Sequence, residues 1–209
     1  MSQRTFLSLL LAAGTLVFLW SAWQPHDRFT WWLEVAPVLI GLPMLWATYT
    51  RFPLSRLVYV LLLIHAFILM VGGHYTYAEM PLFNWLRDEF HLARNYYDRL
   101  GHLAQGFIPA IITREILLRC SPLKPGKWLF FLVTCVCLAI SACYEFLEWW
   151  VALASGSDAV AFLATQGDVW DTQWDMFLAL LGAVSAQLLL AKTHDRSMST
   201  MTYYPIIVR

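Results

Sequence analysis

Residues 167–191 read GDVWDTQWDMFLALLGAVSAQLLLA. Asp168, Asp171, Asp175 and Gln173 open a stretch that then turns apolar and stays so to Ala191. From Trp170 to Ala191 the stretch has the length of a membrane-spanning helix. Yet an aspartate at the centre of such a helix costs roughly 2.5–3.5 kcal/mol on insertion scales. Partners for these carboxylates must therefore come from elsewhere in the chain.

Working outward, the same apolar character recurs along nearly all 209 residues. The chain is 59% hydrophobic and 13% charged, against about 25% charged in a soluble domain, and its mean hydropathy is +0.57. The runs are continuous and do not alternate, which argues against a transmembrane β-barrel and for an all-α polytopic membrane bundle. Net charge is zero and no basic tract suggests nucleic acid. Cys120, Cys135, Cys137 and Cys143 form no C-x-x-C and read as small apolar residues.

Six spans are expected in a single integral membrane domain covering 1–209, at about 5–23, 30–49, 54–73, 98–118, 128–151 and 170–191. The first is too long for a signal-peptide core and is read as a retained helix. Pro37 and Pro43 predict a kink in the second. Over 79–97, Leu82, Leu86, Phe90, Ala93 and Tyr97 recur at helical spacing, with Asn84, Arg87, Asp88, His91 and Arg94 between them. That pattern predicts an amphipathic helix lying on the outer membrane surface. Residues 155–167 read as a connection, with a short helix from Ala159 to Thr165. No internal repeat is evident. Trp20, Trp23, Trp31, Trp32, Trp149, Trp150 and Trp170 cluster near span ends as an interfacial belt.

Basic residues set the orientation. With the N-terminus inside, the inner segments hold ten Lys and Arg and the outer segments four. Both termini of this multi-pass chain are therefore expected in the cytoplasm. On that topology His74, Asp98, His102, Glu145, Glu148, Asp168, Asp171 and Asp175 all fall on the outer side. Asp98 and His102 are four residues apart, as are Asp171 and Asp175, and Glu145 and Glu148 are three apart. Each pair thus shares a helix face. Oxygen ligands from Asp98, Glu145, Glu148, Asp171 and Asp175 suit a divalent cation such as Mg²⁺, Mn²⁺ or Ca²⁺, and His102 admits Zn²⁺ or Fe²⁺. His102, Glu145 and Glu148 are the candidate catalytic groups.

Simpler readings stand beside these. Asp168 reads as an N-cap, and Asp171 and Asp98 as first-turn acids favoured by the helix dipole. Glu145 and Glu148 lie near a helix C-terminus, where the dipole disfavours them, and Asp175 lies more than a turn inside its helix. His102 could hydrogen-bond a neighbouring helix, and His74 could sit among headgroups. Glu115 pairs with Arg119 at i,i+4, and Arg99 is either a counter-charge or a snorkelling side chain. G-x-S-x-G, H-E-x-x-H and G-x-G-x-x-G are all absent.

Four stretches together resemble the YjdF family of bacterial inner-membrane proteins: GHYTYAE at 73–79, YDRLGHLAQG at 97–106, YEFLEW at 144–149 and QGDVWDTQWDM at 166–176. The resemblance covers about residues 54–190. That family is a domain of unknown function, so the resemblance implies a location and not an activity. A weaker similarity extends to VanZ-like membrane proteins, whose pattern is an Asp and a His four apart, a later Glu and an Asp-rich start to the last helix. Asp98, His102, Glu145 or Glu148, and Asp171 with Asp175 match it in order and spacing, and VanZ-like proteins are associated with glycopeptide resistance.

Three functions remain open on the sequence. One is a metal-dependent or acid–base enzyme acting on a membrane lipid or a lipid-linked envelope substrate. The others are an ion-coupled transporter and a structural or assembly protein. Oligomeric state is open as well.

Overall fold

The structure, a computed structural model, describes residues 1–156 and 160–201. Among the described residues every regular element is helical: α1 (Gln3–Ala22), α2 (Arg28–Thr48), α3 (Arg56–Tyr75), α4 (Pro81–Glu89), α5 (Tyr97–Cys120), α6 (Lys127–Ser155), α7 (Val160–Leu163) and α8 (Asp171–Ser199). A 3₁₀ turn, Tyr77–Glu79, joins α3 to α4. The six long helices fall where the sequence places spans. Five of them, α1, α2, α3, α6 and α8, are long and apolar enough to cross a membrane.

The sixth, α5, has the length but not the composition. Its 24 residues extend about 36 Å and include Asp98, Arg99, His102, Arg114, Glu115 and Arg119, all of them buried. Such a helix is tolerable only when its neighbours shelter it. It packs on α3, α6 and α8, and its tightest contact is with α8. A Cβ built on Gly106 would stand 1.9 Å from the Ala179 carbonyl oxygen, and one on Gly182 would stand 2.2 Å from that of Leu103. Ala179, Ala183 and Ala186 are fully buried beside them. Small residues at helical spacing thus let two backbones touch, which is how membrane helices associate without a hydrophobic drive between them.

The main core gathers Val58 and Leu61 of α3, Ile108 and Ile111 of α5, Val133 and Cys137 of α6, and Ala183 and Ala186 of α8. A second cluster, Trp31, Val35 and Met70, joins α2 to α3 and to the end of α1. The Asp27 carboxylate caps α2 through the Thr30 amide at 2.6 Å. Beyond it α2 stays helical through Pro37 and Pro43.

The helices alternate in direction. At the near end, α2, α5 and α8 begin and α1, α3 and α6 finish: the His26 amide donates to the His74 carbonyl, and the Tyr97 hydroxyl donates to the Ile68 carbonyl. At the far end Arg56 donates to Gln3 and to the Met1 carbonyl.

Four expectations change. The amphipathic helix does not run over 79–97: only Pro81–Glu89 is helical, and Tyr97 begins α5. Leu82, Trp85 and Phe90 are exposed, whereas Arg94, Asn95 and Tyr97 are buried. The apolar period misassigned Arg94 because the chain turns after Glu89 and carries that side chain inward. The last helix continues past Ala191 to Ser199, with His194 fully buried. Trp31 is not a belt residue. Its indole nitrogen donates to the buried Ser21 hydroxyl at 2.8 Å. The connecting helix is one turn, Val160–Leu163, and Ala159 lies outside the described residues.

Candidate functional site: a carboxylate and histidine cluster at the near end

The first turns of α5 and α8 and the last turns of α6 meet at the near end, and His102 stands between them. Its Nε2 lies 3.4 Å from Asp98 Oδ1 and 3.7 Å from Asp175 Oδ1. On its other edge Nδ1 lies 3.0 Å from Gln105 Oε1 and 3.9 Å from Glu145 Oε1. Two groups of candidate metal ligands share this imidazole: Asp98, His102 and Asp175, and His102, Glu145 and Glu148. Within each group one ligand atom from every residue lies within 4.8 Å of the others. The Tyr144 ring stands 6.2 Å from that of His102.

Two arginines tie the opening of α8 to α5. Arg99 donates to Asp175, to Asp168 at 3.0 Å and to Asp171 at 2.6 Å, and also reaches the Asp171 carbonyl at 3.2 Å. Arg94 donates to Asp171 at 2.5 Å and to the Ala164 carbonyl at 2.8 Å. Arg99 is thus a counter-charge rather than a snorkelling side chain. Asp171 is turned toward the arginines and belongs to neither ligand group around His102. Asp168 is not the N-cap of α8, a position taken by Trp170. Its Oδ1 accepts the Trp170 amide at 2.9 Å while Oδ2 faces Arg99.

The approach to α8 is held in strained backbone. Ala164 and Gln166 have φ of 48° and 49°, and Gly167 has φ 84°, left-handed values that cost a non-glycine residue of order 1 kcal/mol or more. Asn95 holds this segment in place: its amide donates to Gln166 Oε1 and its carbonyl accepts from Gln166 Nε2, both at 2.9 Å. Asn95 also accepts the Tyr97 amide through its side chain, so it, and not Asp98, satisfies the start of α5.

Charge does not balance. Asp98, Glu145, Glu148, Asp168, Asp171 and Asp175 are six carboxylates around two arginines and one imidazole. No hydrogen bond reaches Asp98 Oδ2 or Glu145 Oε1, although both atoms are buried.

Some residues here escape the sequence reading. Glu34 of α2 is buried beside Gly73, faces Tyr77, and lies within electrostatic range of Asp98 and His102. A carboxylate two turns into an otherwise apolar helix is the signal that could have marked it. Arg94, Asn95 and Gln166 carried no such signal. His74 does not join the cluster; its Nδ1 meets the Ser21 carbonyl at 3.0 Å and its ring stacks on Trp20.

The far end carries a second buried network. Glu115 accepts from Arg119 at 2.7 Å, from the Ser55 amide at 2.9 Å, and pairs with His194 at 3.0 Å. Arg114 meets His194 Nδ1 at 2.9 Å and Asp195 at 2.7 Å, and Arg119 lies over the Phe52 ring. The far half is thus richer in polar side chains than its sequence suggests. Every charged residue here has an oppositely charged or imidazole neighbour, although Arg119 Nε and Nη2 find no hydrogen-bond partner, and the network fixes α3 and α8 to α5.

The chain is 50% identical over 199 residues to the inner membrane protein YjdF of Escherichia coli (strain K12), covering 93% of this chain and 95% of that one. No solved structure matches it. A model of the family described as "Predicted membrane protein (DUF2238)" matches residues 6–196, so the chain belongs to that family of membrane proteins.

Proposed function

We propose that the His102 cluster binds a divalent cation and with it carries out metal-dependent or acid–base chemistry on a lipid or lipid-linked envelope substrate. The two carboxylate–imidazole groups that share His102 carry this reading, together with two buried carboxylate oxygens that no hydrogen bond reaches, although Arg94 and Arg99 stand 3.5 and 3.6 Å from one of them. Asp98 Oδ2 and Glu145 Oε1 belong to the two ligand groups that share His102. Excess buried carboxylate charge is costly, and a cation at one of the two groups offsets it. Asp98, Asp175, Glu145 and Glu148 are the ligands in this reading, and His102 or a free glutamate moves the proton. Asp168 and Asp171 serve as positioning residues held by Arg94 and Arg99.

The near end is assigned to the outer face. Arg94 and Arg99 are spent on carboxylates, and Arg114 and Arg119 on the far-end network. Removing these four from the tally leaves eight basic residues on the inner segments and two on the outer, so the positive-inside bias strengthens.

An ion path is disfavoured. Between His102 and Arg114 the buried side of α5 is Ala104, Gly106, Ile108, Ala110 and Ile111, packed to backbone contact with α8. That length of α5 offers no buried polar side chain to a crossing ion.

Elemental analysis of the detergent-purified protein tests the assignment. Wild type should retain close to one divalent metal per chain after dialysis against Mg²⁺, Mn²⁺ or Zn²⁺. Glu148→Gln and Asp98→Asn should lose it while keeping the wild-type melting temperature. A wild type that takes up none of the three metals overturns the reading.

A further inference from the structure

His194 is fully buried on the part of α8 that runs past Ala191, and both of its ring nitrogens are engaged. Nε2 lies 3.0 Å from Glu115 Oε2, and Nδ1 lies 2.9 Å from Arg114 Nη1. A guanidinium is always charged and only donates. Nδ1 therefore accepts from Arg114 with its lone pair, and the single ring hydrogen sits on Nε2 and is donated to Glu115. The contacts thus select one neutral tautomer of His194. The other hydrogen of Arg114 Nη1 goes to Asp195 Oδ1 at 2.7 Å. One nitrogen of α5 thereby bridges two consecutive residues of α8, the first buried and the second about half-exposed.

Among the described residues, the ionisable groups around this imidazole are Arg114, Glu115 and Arg119 of α5, Asp195 of α8, and Tyr59 of α3, which lies within electrostatic range of Glu115 and Arg119. Two arginines face two carboxylates, so the formal charges balance while His194 is neutral. A proton on Nδ1 upsets this in two ways. It leaves a buried positive charge in excess, which is costly, and it turns N–H against N–H at the Arg114 contact. Glu115 has little left to offer in return, because it already accepts from Arg119 and from the Ser55 amide. Arg114 must then give up His194 and keep Asp195 alone. Imidazole is the side chain whose charge changes between about pH 5 and 8.

We propose that His194 and Arg114 form a proton-operated latch between α5 and α8, closed while the imidazole is neutral and opened by acid. With the far end inside, the acid it answers is that of the cytoplasm. The closed state excludes a proton that the unfolded chain binds, so its contribution to stability falls as pH falls. The latch does not depend on what the His102 cluster binds.

Two measurements on the full chain in detergent micelles test it. In the first, nitrogen chemical shifts of ¹⁵N-labelled histidine are recorded against pH, with His194→Gln identifying the signal. At about pH 8, His194 should show the neutral tautomer with its hydrogen on Nε2. An imidazolium there, or the hydrogen on Nδ1, overturns the proposal. In the second, the melting temperature is followed from about pH 8 to pH 5. The near-end acids and His102 add a pH dependence that all variants share, so the difference from wild type is what counts. His194→Gln, whose amide donates to Glu115 and accepts from Arg114 without taking up a proton, should match wild type at the alkaline end and lose several degrees less on acidification. Arg114→Met removes the opposing donor and should flatten the acid limb in the same way. Should His194→Gln not fold, Arg114→Met and the Nε2–H tautomer decide the matter. An acid limb as steep as wild type in the variants that fold overturns the latch.

Discussion

Arg99 holds more of the near end together than any other side chain. Its guanidinium reaches Asp168, Asp171 and Asp175 at once, a planar fork that a lysine cannot reproduce. Removing one partner from a buried ionic cluster leaves uncompensated charge, at a cost of about 3–5 kcal/mol. Arg99→Gln should therefore lower stability by that order, read from denaturant unfolding in detergent micelles. Arg99→Lys should recover less than half, and Arg99→Gln combined with Asp175→Asn should be less destabilised than the sum of the two single changes. Of the two arginines, the sequence offers Arg99 as a counter-charge or a snorkelling side chain without naming its partners, and gives no sign of Arg94 as a partner. Asp98, His102, Glu145, Glu148 and Asp175 stood out because polar residues in apolar helices are rare. Arg94 lay in a segment whose period pointed to the surface, and nothing in one sequence says which of six carboxylates an arginine will choose.

Helix α5 shows why the spans were readable and their packing was not. The sequence located all six long helices, although α8 runs on to Ser199, well past the expected end at 191, since continuous apolar runs have few alternative structures in lipid. The pairing of α5 with α8 depends on Gly106 meeting Ala179 and Gly182 meeting Leu103, and small residues occur throughout the chain. A methyl group at Gly106 must push the α8 backbone aside. Gly106→Ala should cost about 1–3 kcal/mol, the usual range for overpacking. Gly41→Ala, with nothing within 4 Å of its added methyl, should be neutral or slightly stabilising, since alanine is the better helix former by about 1 kcal/mol. Equal melting temperatures for the two variants would remove close packing as the basis of the α5–α8 contact.

The bundle places its two charged networks at opposite ends, and the buried polar side chains between them, such as Ser141 and Gln187, are uncharged. The His102 end gathers six carboxylates around two arginines and an imidazole, whereas the Glu115 end ties Glu115 to three partners. That asymmetry makes one end a candidate site and the other a brace. Orientation then decides which compartment the site faces. In a cysteine-free background, Asp88→Cys in α4 should react with a membrane-impermeant maleimide on spheroplasts, and Lys124→Cys only after lysis. The reverse pattern would move the cluster to the cytoplasmic face.

The burial of α5 among later partners bears on how the protein is made. The helix carries two carboxylates, three arginines and a histidine into lipid, yet Asp171, Asp175 and His194, which pair with them, lie on the last helix to leave the ribosome. During synthesis α5 reaches the translocation channel some seventy residues before its counter-charges exist. Its entry into the bilayer is thus provisional until α8 arrives, and quality control of this protein turns on whether its final helix is delivered in time.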